Sequence, residues 1–305
     1  MQNNDNTVTQ RSPEWYEQRK MRLTGSRIGA ILGLSPWQKP EDVMREMVRE
    51  HHGYPSEFKG NPATDHGIFH EQRALLCFMR KTGLQVEECG FFAYGDRMGA
   101  SPDGLTSDGG VLELKVPFGL RNEQSAVFKT LTEQPHYAAQ VQTEMLATGC
   151  KHAYFAQYVA PKGDPLSPDY VPEQLSWERV ELDEKWIDSV LPKLDEFYRQ
   201  LLAEIDNPEH LEPLRQSFDD EEAATILGEI DYVRGELKKL KEQETEALKK
   251  LVEHCGEKDA LVHGRKLTLV KRKGSISYAK AIKELLPDAD LEKWRGKETT
   301  FWRVT

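Results

Sequence analysis

Two acidic residues and a lysine lie close together in the segment SPDGLTSDGGVLELK, which covers residues 101–115. Glu113 and Lys115 are two residues apart in an apolar run, and such residues share one face of a β-strand. Asp103 precedes them, separated by LTSDGG, a sequence rich in turn-forming residues. The turn would fold the strand end that bears Asp103 back beside the strand that bears Glu113, so two carboxylates and an ammonium are predicted to converge.

These groups suit the hydrolysis of a phosphodiester. Carboxylate oxygens hold Mg²⁺ and leave coordination positions for water and substrate. A bound Mg²⁺ stabilises charge on the phosphoryl oxygens and lowers the pKa of a coordinated water. The carbonyl of Leu114 is placed to be a further ligand, and Lys115 could orient or deprotonate the water or neutralise developing charge. The alternative is that these are ordinary solvated side chains of a strand and a turn.

The surrounding elements are predicted from hydrophobic periodicity and from turn and cap residues. We expect residues 1–12 to be disordered and 52–63 to form a loop. On the strand that bears Glu113, the opposite face, with Leu112 and Leu114, should be the core. The order of elements predicts an α/β fold with a mixed central sheet flanked by helices. The predicted helices cover about 13–20, 26–34, 41–51, 64–82, 134–148 and 183–206, and the predicted strands about 90–95, 97–102, 111–117, 151–160 and 176–182.

A segment rich in proline and acidic residues, 207–220, divides the sequence. It predicts a domain at 1–207 and an extension at 208–305. In the extension, apolar residues recur at spacings of four and three with one polar interruption, and both a coiled coil and a helix packed on its own domain fit this pattern. A basic hairpin, which is either a DNA or partner contact or a solvated surface, and a short helix at about 278–286 should follow. The seam residues are Ile226, Ile230, Val233, Leu237, Leu240, Glu244, Ala247 and Leu251, and the basic residues are Arg265, Lys266, Lys271, Arg272 and Lys273.

The composition restricts where ligands and partners can bind. The formal net charge is -10, so any contact with DNA must be confined to a local groove. No apolar run is long enough to cross a bilayer, and the polar N-terminus lacks a secretion signal. The four cysteines are scattered without the spacing of a zinc site. We therefore expect a protein of the cytoplasm, with free thiols and no membrane partner.

Four motifs occur in an order that resembles a known family. They are WYEQRKMRLTGSRIG, GIFHE before a long predicted helix, SPDGLTSDGGVLELKVPF, and YAAQVQ. Together they resemble the PD-(D/E)XK nucleases and, among these, the YqaJ-like viral recombinases, the family of phage lambda exonuclease. The resemblance covers about residues 11–205. It implies a restriction-endonuclease-like core, to which this chain adds a C-terminal helical and β-hairpin extension.

The resemblance also implies an active site. Asp103, Glu113 and the carbonyl of Leu114 would bind Mg²⁺, for which Mn²⁺ would substitute, and Lys115 would be the catalytic lysine.

Three further residues would support this centre. Glu71 would be an upstream acid beside the metal, and Gln140 would lie next to the active centre with Tyr137 near it. Glu71 is at helical spacing from Ile68 and Leu75, so it lies on an apolar stripe. Burying a carboxylate there costs free energy unless the carboxylate is paired or binds metal. The alternative is that Glu71 lies at the edge of the stripe and reaches solvent.

A pocket for a 5′-terminal phosphate is implied by Arg19, Ser26, Ser101 and Arg121. Ser26 precedes an apolar helical run, and as an N-cap it would direct backbone N–H groups at an anion. The arginines would give bidentate hydrogen bonds to the phosphate. The alternative is that Arg19 and Arg121 are ordinary surface arginines.

The function implied by the resemblance is a Mg²⁺-dependent 5′→3′ exonuclease. It would degrade one strand of double-stranded DNA from a 5′-phosphorylated end and leave a 3′ overhang for recombination by strand annealing. Its partners would be DNA ends, an annealing protein and further copies of the chain in a ring trimer, in the bacterial cytoplasm if the gene is of phage origin. The alternatives are another PD-(D/E)XK nuclease, such as an endonuclease or a single-strand exonuclease, or a non-catalytic DNA-end-binding protein.

Overall fold

The computed structural model describes residues 8–213, 220–270 and 282. The chain divides into two compact units between Gln216 and Ser217. Every helix in the described ranges is too short or too polar to cross a membrane.

The first unit combines helices with two small sheets. Its helices are α1 (Pro13–Arg19), α2 (Gly25–Ile31), α3 (Pro40–His51), α4 (Pro62–Thr82), α5 (Pro135–Thr148) and α6 (Glu184–Ala203), with single 3₁₀ turns at Phe118–Leu120 and Pro208–His210. Its strands are β1 (Leu23–Thr24), β2 (Val86–Glu87), β3 (Phe92–Tyr94), β4 (Met98–Ala100), β5 (Gly104–Thr106), β6 (Val111–Lys115), β7 (His152–Val159) and β8 (Gln174–Glu181).

The central sheet has five strands in the order β2-β5-β6-β7-β8. Strands β6 and β7 are parallel, whereas the other neighbours in this sheet are antiparallel. A second sheet has the order β1-β4-β3, with β1 and β4 parallel. Helices cover these mixed sheets, so the expected α/β fold is confirmed.

Strand β6 is covered on both faces, which the sequence did not predict. Leu112 and Leu114 pack with α4 and β7 in one core cluster, as expected. Val111, on the opposite face, packs with side chains of α5 and β7 in a second cluster. The reason is that β6 and β7 form a parallel pair, and parallel strands are usually enclosed by helices on both sides. Glu113 therefore lies on a buried face, and it is only 3% exposed.

Helices α2 and α5 touch through backbone. A Cβ added at Gly29 of α2 would lie 2.8 Å from both the Cβ and the carbonyl oxygen of His136 in α5. Real Cβ atoms do not approach other atoms so closely, so only glycine permits this contact. The contact fixes α5 against α2 directly beside the residues discussed below.

Residues 1–12 were predicted to be disordered, but the described part of this segment, residues 8–12, makes tertiary contacts. Gln10 Nε2 donates hydrogen bonds to the carbonyls of Cys89, at 3.0 Å, and Pro102, at 2.8 Å. Arg11 forms an ion pair with Glu71 of α4. Residues 1–7 lie outside the described part of the chain. The four cysteines are free, as expected.

The second unit contains one long helix and a small hairpin. Helix α7 (Glu221–His254) is capped by Asp220, whose side chain accepts a hydrogen bond from the backbone N–H of Ala223. Strands β9 (Ala260–Val262) and β10 (Arg265–Leu267) are antiparallel, which confirms a hairpin. The predicted helix near 278–286, apart from residue 282, and the basic residues Lys271, Arg272 and Lys273 lie outside the described residues.

Candidate active site

The hairpin of β5 and β6 brings Asp103 beside the strand that carries Glu113. The backbone N–H of Asp103 donates to the carbonyl of Leu112 at 3.0 Å. Asp103 Oδ2 accepts a hydrogen bond from the backbone N–H of Leu114 at 2.6 Å. The partner strand is β5, which follows Asp103, and not the strand near 97–102, which belongs to the other sheet. Asp103 thus occupies the junction between the sheets, and the predicted convergence with Glu113 occurs there.

The turn between β5 and β6 is fixed by Asp108. Its Oδ1 accepts from the Thr106 hydroxyl at 2.6 Å, and its Oδ2 accepts from the Tyr154 hydroxyl at 2.7 Å. Burial alone would raise the pKa of Asp108, but these hydrogen bonds and His152 lower it to about 2. The turn predicted from LTSDGG therefore keeps an ionised, hydrogen-bonded aspartate that holds β6 in place.

Lys115, Glu113 and Gln140 form a closed set of hydrogen bonds. Lys115 Nζ donates to Glu113 Oε1 and, at 3.4 Å, to Gln140 Oε1. Gln140 Nε2 donates to Glu113 Oε1 at 2.7 Å. The ring of Tyr137, one turn earlier on α5, is centred 4.7 Å from Lys115 Nζ. The structure therefore brings together all four of these residues that the resemblance had singled out.

Glu144 is a member of this site that the sequence analysis missed. It lies one helical turn after Gln140, is 1% exposed, and accepts a hydrogen bond from Gln140 Nε2 at 2.9 Å. Its Oε2 has no hydrogen-bond partner within the described residues. Burial, with Glu113 second, raises the pKa of Glu144 well above its usual value. The i,i+4 spacing in QVQTE is the signal that could have found it.

The carboxyl groups outnumber the cations at this site. We call Asp103, Glu113, Lys115, Gln140 and Glu144 the acidic cluster. Burial and the nearby Glu113 raise the pKa of Asp103 well above its usual value. Burial alone would lower the pKa of Lys115, but Glu113, Tyr137 and Asp103 outweigh it, and the pKa is raised. The lysine is consequently an ammonium at neutral pH, and it is the one cation that the three carboxyl groups of the cluster share.

The acidic cluster fits a divalent cation. Asp103 Oδ1 and Glu113 Oε2 accept no hydrogen bond from the described part of the chain, so each has lone pairs available. A cation between these two carboxylates would relieve the burial and repulsion that raise the pKa of Asp103. Across the described residues, no three acidic, histidine or cysteine side chains form a metal cage by themselves. The donor set for such a cation would be two carboxylates, with a backbone carbonyl, water and substrate to complete it.

Glu71 lies near the acidic cluster but is directed to another partner. Its Oε2 is 2.6 Å from Arg11 Nη2, and its side chain is 42% exposed. It acts on Asp103 electrostatically, as a minor contribution that raises the pKa of Asp103. The apolar stripe of α4 includes buried Leu75, whereas Ile68 is 57% exposed. The support of a metal site by Glu71 stays a prediction.

Three of the four residues expected to bind phosphate come together beside the acidic cluster. Arg19 Nη2 lies 3.4 Å from Ser26 Oγ and 3.5 Å from Thr24 Oγ1. The Arg19 guanidinium stacks 4.1 Å from the ring of Trp15, whose Nε1 donates to Ser101 Oγ at 2.8 Å. We call Arg19, Ser26 and Ser101 the basic cluster.

Two expectations about these residues need correction. Ser26 is not an N-cap, because α2 begins at Gly25 and its N-cap position is Thr24, which makes no side-chain cap bond. Ser26 lies inside the first turn, where its hydroxyl can point at Arg19. Arg121 lies apart from the basic cluster: it donates to the carbonyl of Phe118 at 2.7 Å and stacks on that ring.

Arg19 is a cation without a matching anion. Burial and the neighbouring Arg27 lower its pKa to about 10, so it remains charged at neutral pH. Arg27 is neutralised by Glu50 at 3.0 Å, but Arg19 forms no ion pair with a carboxylate in the described residues. A half-buried guanidinium of this kind is suited to bind a phosphate through two parallel hydrogen bonds.

The chain is similar to a recombinase domain family and to solved exonuclease structures. Residues 14–151 match the YqaJ-like viral recombinase domain. The chain is similar to LHK-Exo, solved in complex with dAMP, with 27% identity, 64% of this chain and 95% of that chain covered, and a TM-score of 0.52. It is similar in the same way to the alkaline exonuclease LHK-Exo from Laribacter hongkongensis, with 26% identity, coverage of 65% and 96%, and a TM-score of 0.50.

A curated relative is an uncharacterised protein of Acanthamoeba polyphaga mimivirus. It is 27% identical over 161 residues, which are 48% of this chain. The match spans only 29% of the length of that viral protein.

Proposed function

We propose, from the match of residues 14–151 to the YqaJ-like viral recombinase domain, that the chain is a Mg²⁺-dependent 5′→3′ exonuclease for double-stranded DNA. It degrades the strand that ends in a 5′-phosphate and leaves a 3′ overhang, which a strand-annealing protein uses in phage-type recombination. The observation that carries the proposal is the pairing of two oppositely charged clusters, joined along the chain by Ser101 and Asp103. The similarity to solved exonucleases supports the same chemistry.

The acidic cluster supplies the groups that cut the bond. Asp103, Glu113 and the Leu114 carbonyl would hold Mg²⁺, which when bound activates water and stabilises phosphoryl charge. Lys115, kept as an ammonium by Glu113, stabilises negative charge that develops on the phosphate. Gln140 donates to Glu113 and accepts from Lys115, so its amide holds both side chains in their working orientation.

The basic cluster supplies the polarity of digestion. The Arg19 guanidinium offers a fork of donors to a terminal phosphate, and the hydroxyls of Ser26 and Ser101 lie beside it. A phosphate held there places the next phosphodiester at a set distance from Lys115. Digestion then starts at the 5′ end.

The assembly of the protein is part of the same proposal. By family resemblance, the first unit acts as a ring trimer that encloses the remaining strand. The annealing protein and the host cytoplasm follow from the same resemblance.

An end-labelled digestion tests the proposal. Linear duplexes that carry a 5′-phosphate or a 5′-hydroxyl are incubated with the full chain and Mg²⁺ or EDTA, and a covalently closed circular duplex serves as control. We expect loss of the 5′-phosphorylated strand only with Mg²⁺, slower loss of the 5′-hydroxyl strand and no cutting of the circle. Cleavage of the circle would favour an endonuclease, and binding of ends without digestion would favour a non-catalytic protein.

A further inference from the structure

Helix α7 presents an apolar stripe to solvent. No residue of this 34-residue helix is buried. Ile226, Val233, Leu237 and Leu240 on the stripe are 49%, 54%, 53% and 58% exposed. Isolated exposed apolar side chains are normal, but a continuous stripe of them marks a surface that another partner covers.

The spacing of the stripe follows a heptad repeat, with one polar residue, Glu244, among its positions. Its residues are separated by alternating steps of four and three, which is a period of 3.5 residues. The seven positions of a heptad are lettered a to g, and the residues at a and d face the partner helix. A step of three residues leads from an a position to the next d position, and a step of four leads from d to the next a. The a positions are Ile230, Leu237, Glu244 and Leu251, and the d positions are Ile226, Val233, Leu240 and Ala247.

We infer that α7 forms a parallel coiled coil with the α7 helices of other copies of this chain. The charges that flank the stripe select both the partner and its direction. In a parallel pair, each g position faces the e position five residues later on the partner helix. That rule pairs Glu229 with Arg234 and Glu236 with Lys241 of another copy, which are opposite charges in both cases.

An antiparallel arrangement of the same helices is disfavoured. It would bring e positions together, and Arg234 would then face Lys241 of the partner. Like charges at such flanking positions repel each other and disfavour that alignment. A self-complementary pattern of this kind needs no second type of protein, so another copy of the chain is the occupant.

The core residues do not select one number of helices. Leu237 and Leu251 at a, with Ile226 and Val233 at d, are the choice that shifts the preference to three or four strands, whereas Ile230 at a and Leu240 at d are the two-stranded choice. Glu244 is the one polar a residue, and a single polar residue at a fixes register at some cost in stability. The inference stands independently of the proposed nuclease activity, because it uses no residue of the first unit.

Disulfide crosslinking of the full chain tests this inference. Leu240→Cys places a thiol at a d position, and Tyr232→Cys, on a 70% exposed residue outside the stripe, is the matched control. In a parallel coil the same d residue of two copies meets, so mild oxidation should link Leu240→Cys chains at least tenfold more than Tyr232→Cys or unmodified chains. Equal crosslinking of all three proteins would overturn the inference.

Two further variants test direction and charge. A mixture of size-tagged Leu237→Cys and untagged Leu240→Cys chains forms mixed crosslinks preferentially only in an antiparallel pair, and that result would refute the parallel arrangement. Adding Glu236→Lys to Leu240→Cys should reduce its crosslinking several-fold, and adding Lys241→Glu as well should restore it. A reduction that the second change does not restore would contradict the charge pairing. Because Leu240→Cys and Tyr232→Cys lie in the same helix, any ring assembly by the first unit brings both thiols together to the same extent, and the difference between the two variants reports on the contact made by α7.

Discussion

The acidic cluster and the basic cluster are neighbours, yet their charges are balanced in opposite ways. In the acidic cluster, the three carboxyl groups of Asp103, Glu113 and Glu144 share one ammonium, and the pKa values of Asp103 and Glu144 are raised. In the basic cluster, Arg19 has no carboxylate partner among the described residues, and its pKa is lowered. One cluster lacks a cation and the other lacks an anion.

Sites with such unbalanced charge are suited to bind ligands. A buried group whose pKa is shifted by like charges gains stability when a ligand of opposite charge arrives. A divalent cation would neutralise the acidic cluster, and a terminal phosphate would neutralise Arg19. A DNA end with its associated metal supplies both, and variants of each cluster should therefore fail in different ways.

The largest effect is expected in the acidic cluster. Lys115→Ala should reduce digestion by on the order of 10³-fold, because it removes a positive charge placed where negative charge develops. Binding of duplex ends should be retained, since the basic cluster is intact. The measurement is the single-turnover rate together with end binding, and Lys151→Ala, at an exposed lysine, is the control. Full digestion by the Lys115 variant would remove this residue from the proposed chemistry.

A smaller and more selective effect is expected in the basic cluster. Arg19→Gln should lower kcat/KM on 5′-phosphorylated duplexes by roughly 10- to 100-fold, as charge-assisted hydrogen bonds to the phosphate are lost. Rates on 5′-hydroxyl duplexes should hardly change, so the preference for the phosphate should disappear. Arg121→Gln should have a weaker effect, because Arg121 lies apart from Arg19. An equal loss on both substrates would indicate that Arg19 supports the fold rather than the phosphate.

The third prediction concerns the support of the acidic cluster by Glu144. Its raised pKa favours the neutral carboxyl, so Glu144→Gln should keep digestion within about threefold, since an amide oxygen can also accept from Gln140. Glu144→Leu leaves that donor without its buried partner and should reduce kcat by about tenfold with little change in KM. A loss in Glu144→Gln as large as that in Lys115→Ala would show instead that a negative charge is required at this position.

The smallest effect is expected outside both clusters. Arg11→Ala removes an exposed ion pair with Glu71, and such pairs contribute about 0–1 kcal/mol to stability. Thermal unfolding and the digestion rate should therefore change little. A drop in rate comparable to that of Lys115→Ala would mean that the Arg11–Glu71 pair takes part in binding the metal or DNA.

The features that could be predicted from the sequence are those that depend on a local hydrophobic pattern and on turn-forming residues. Strand β6 and the return of Asp103 to Glu113 followed from an apolar run and a Gly-rich turn. Strands β1 and β2 were missed because each has two residues, too few for an alternating pattern to appear. The N-terminal segment was predicted to be disordered, but its described part is held by hydrogen bonds of Gln10 to Cys89 and Pro102. These partners are distant in the chain, so a local pattern does not reveal them.

Within the site, the predictions that failed concern the surroundings of a residue rather than its chemical type. Ser26 was expected to cap a helix, but α2 begins one residue earlier, at Gly25, and Thr24 holds the N-cap position. Glu113 was expected on an open face, but α5 covers it. Glu144 was overlooked because an acid on a helix is usually solvated, and only the packing of α5 on β6 makes it buried.

The backbone contact at Gly29 has a consequence for the spacing of the two clusters. Helix α2 carries Ser26 of the basic cluster, and α5 carries Gln140 of the acidic cluster. Since Gly29 and His136 meet without room for a Cβ, the two helices cannot move closer, and a larger side chain would push them apart. In the proposed exonuclease, the residues that would anchor the DNA end are thereby kept at a constant distance from the residues that would cut the bond, and a change at Gly29 alone would alter that distance.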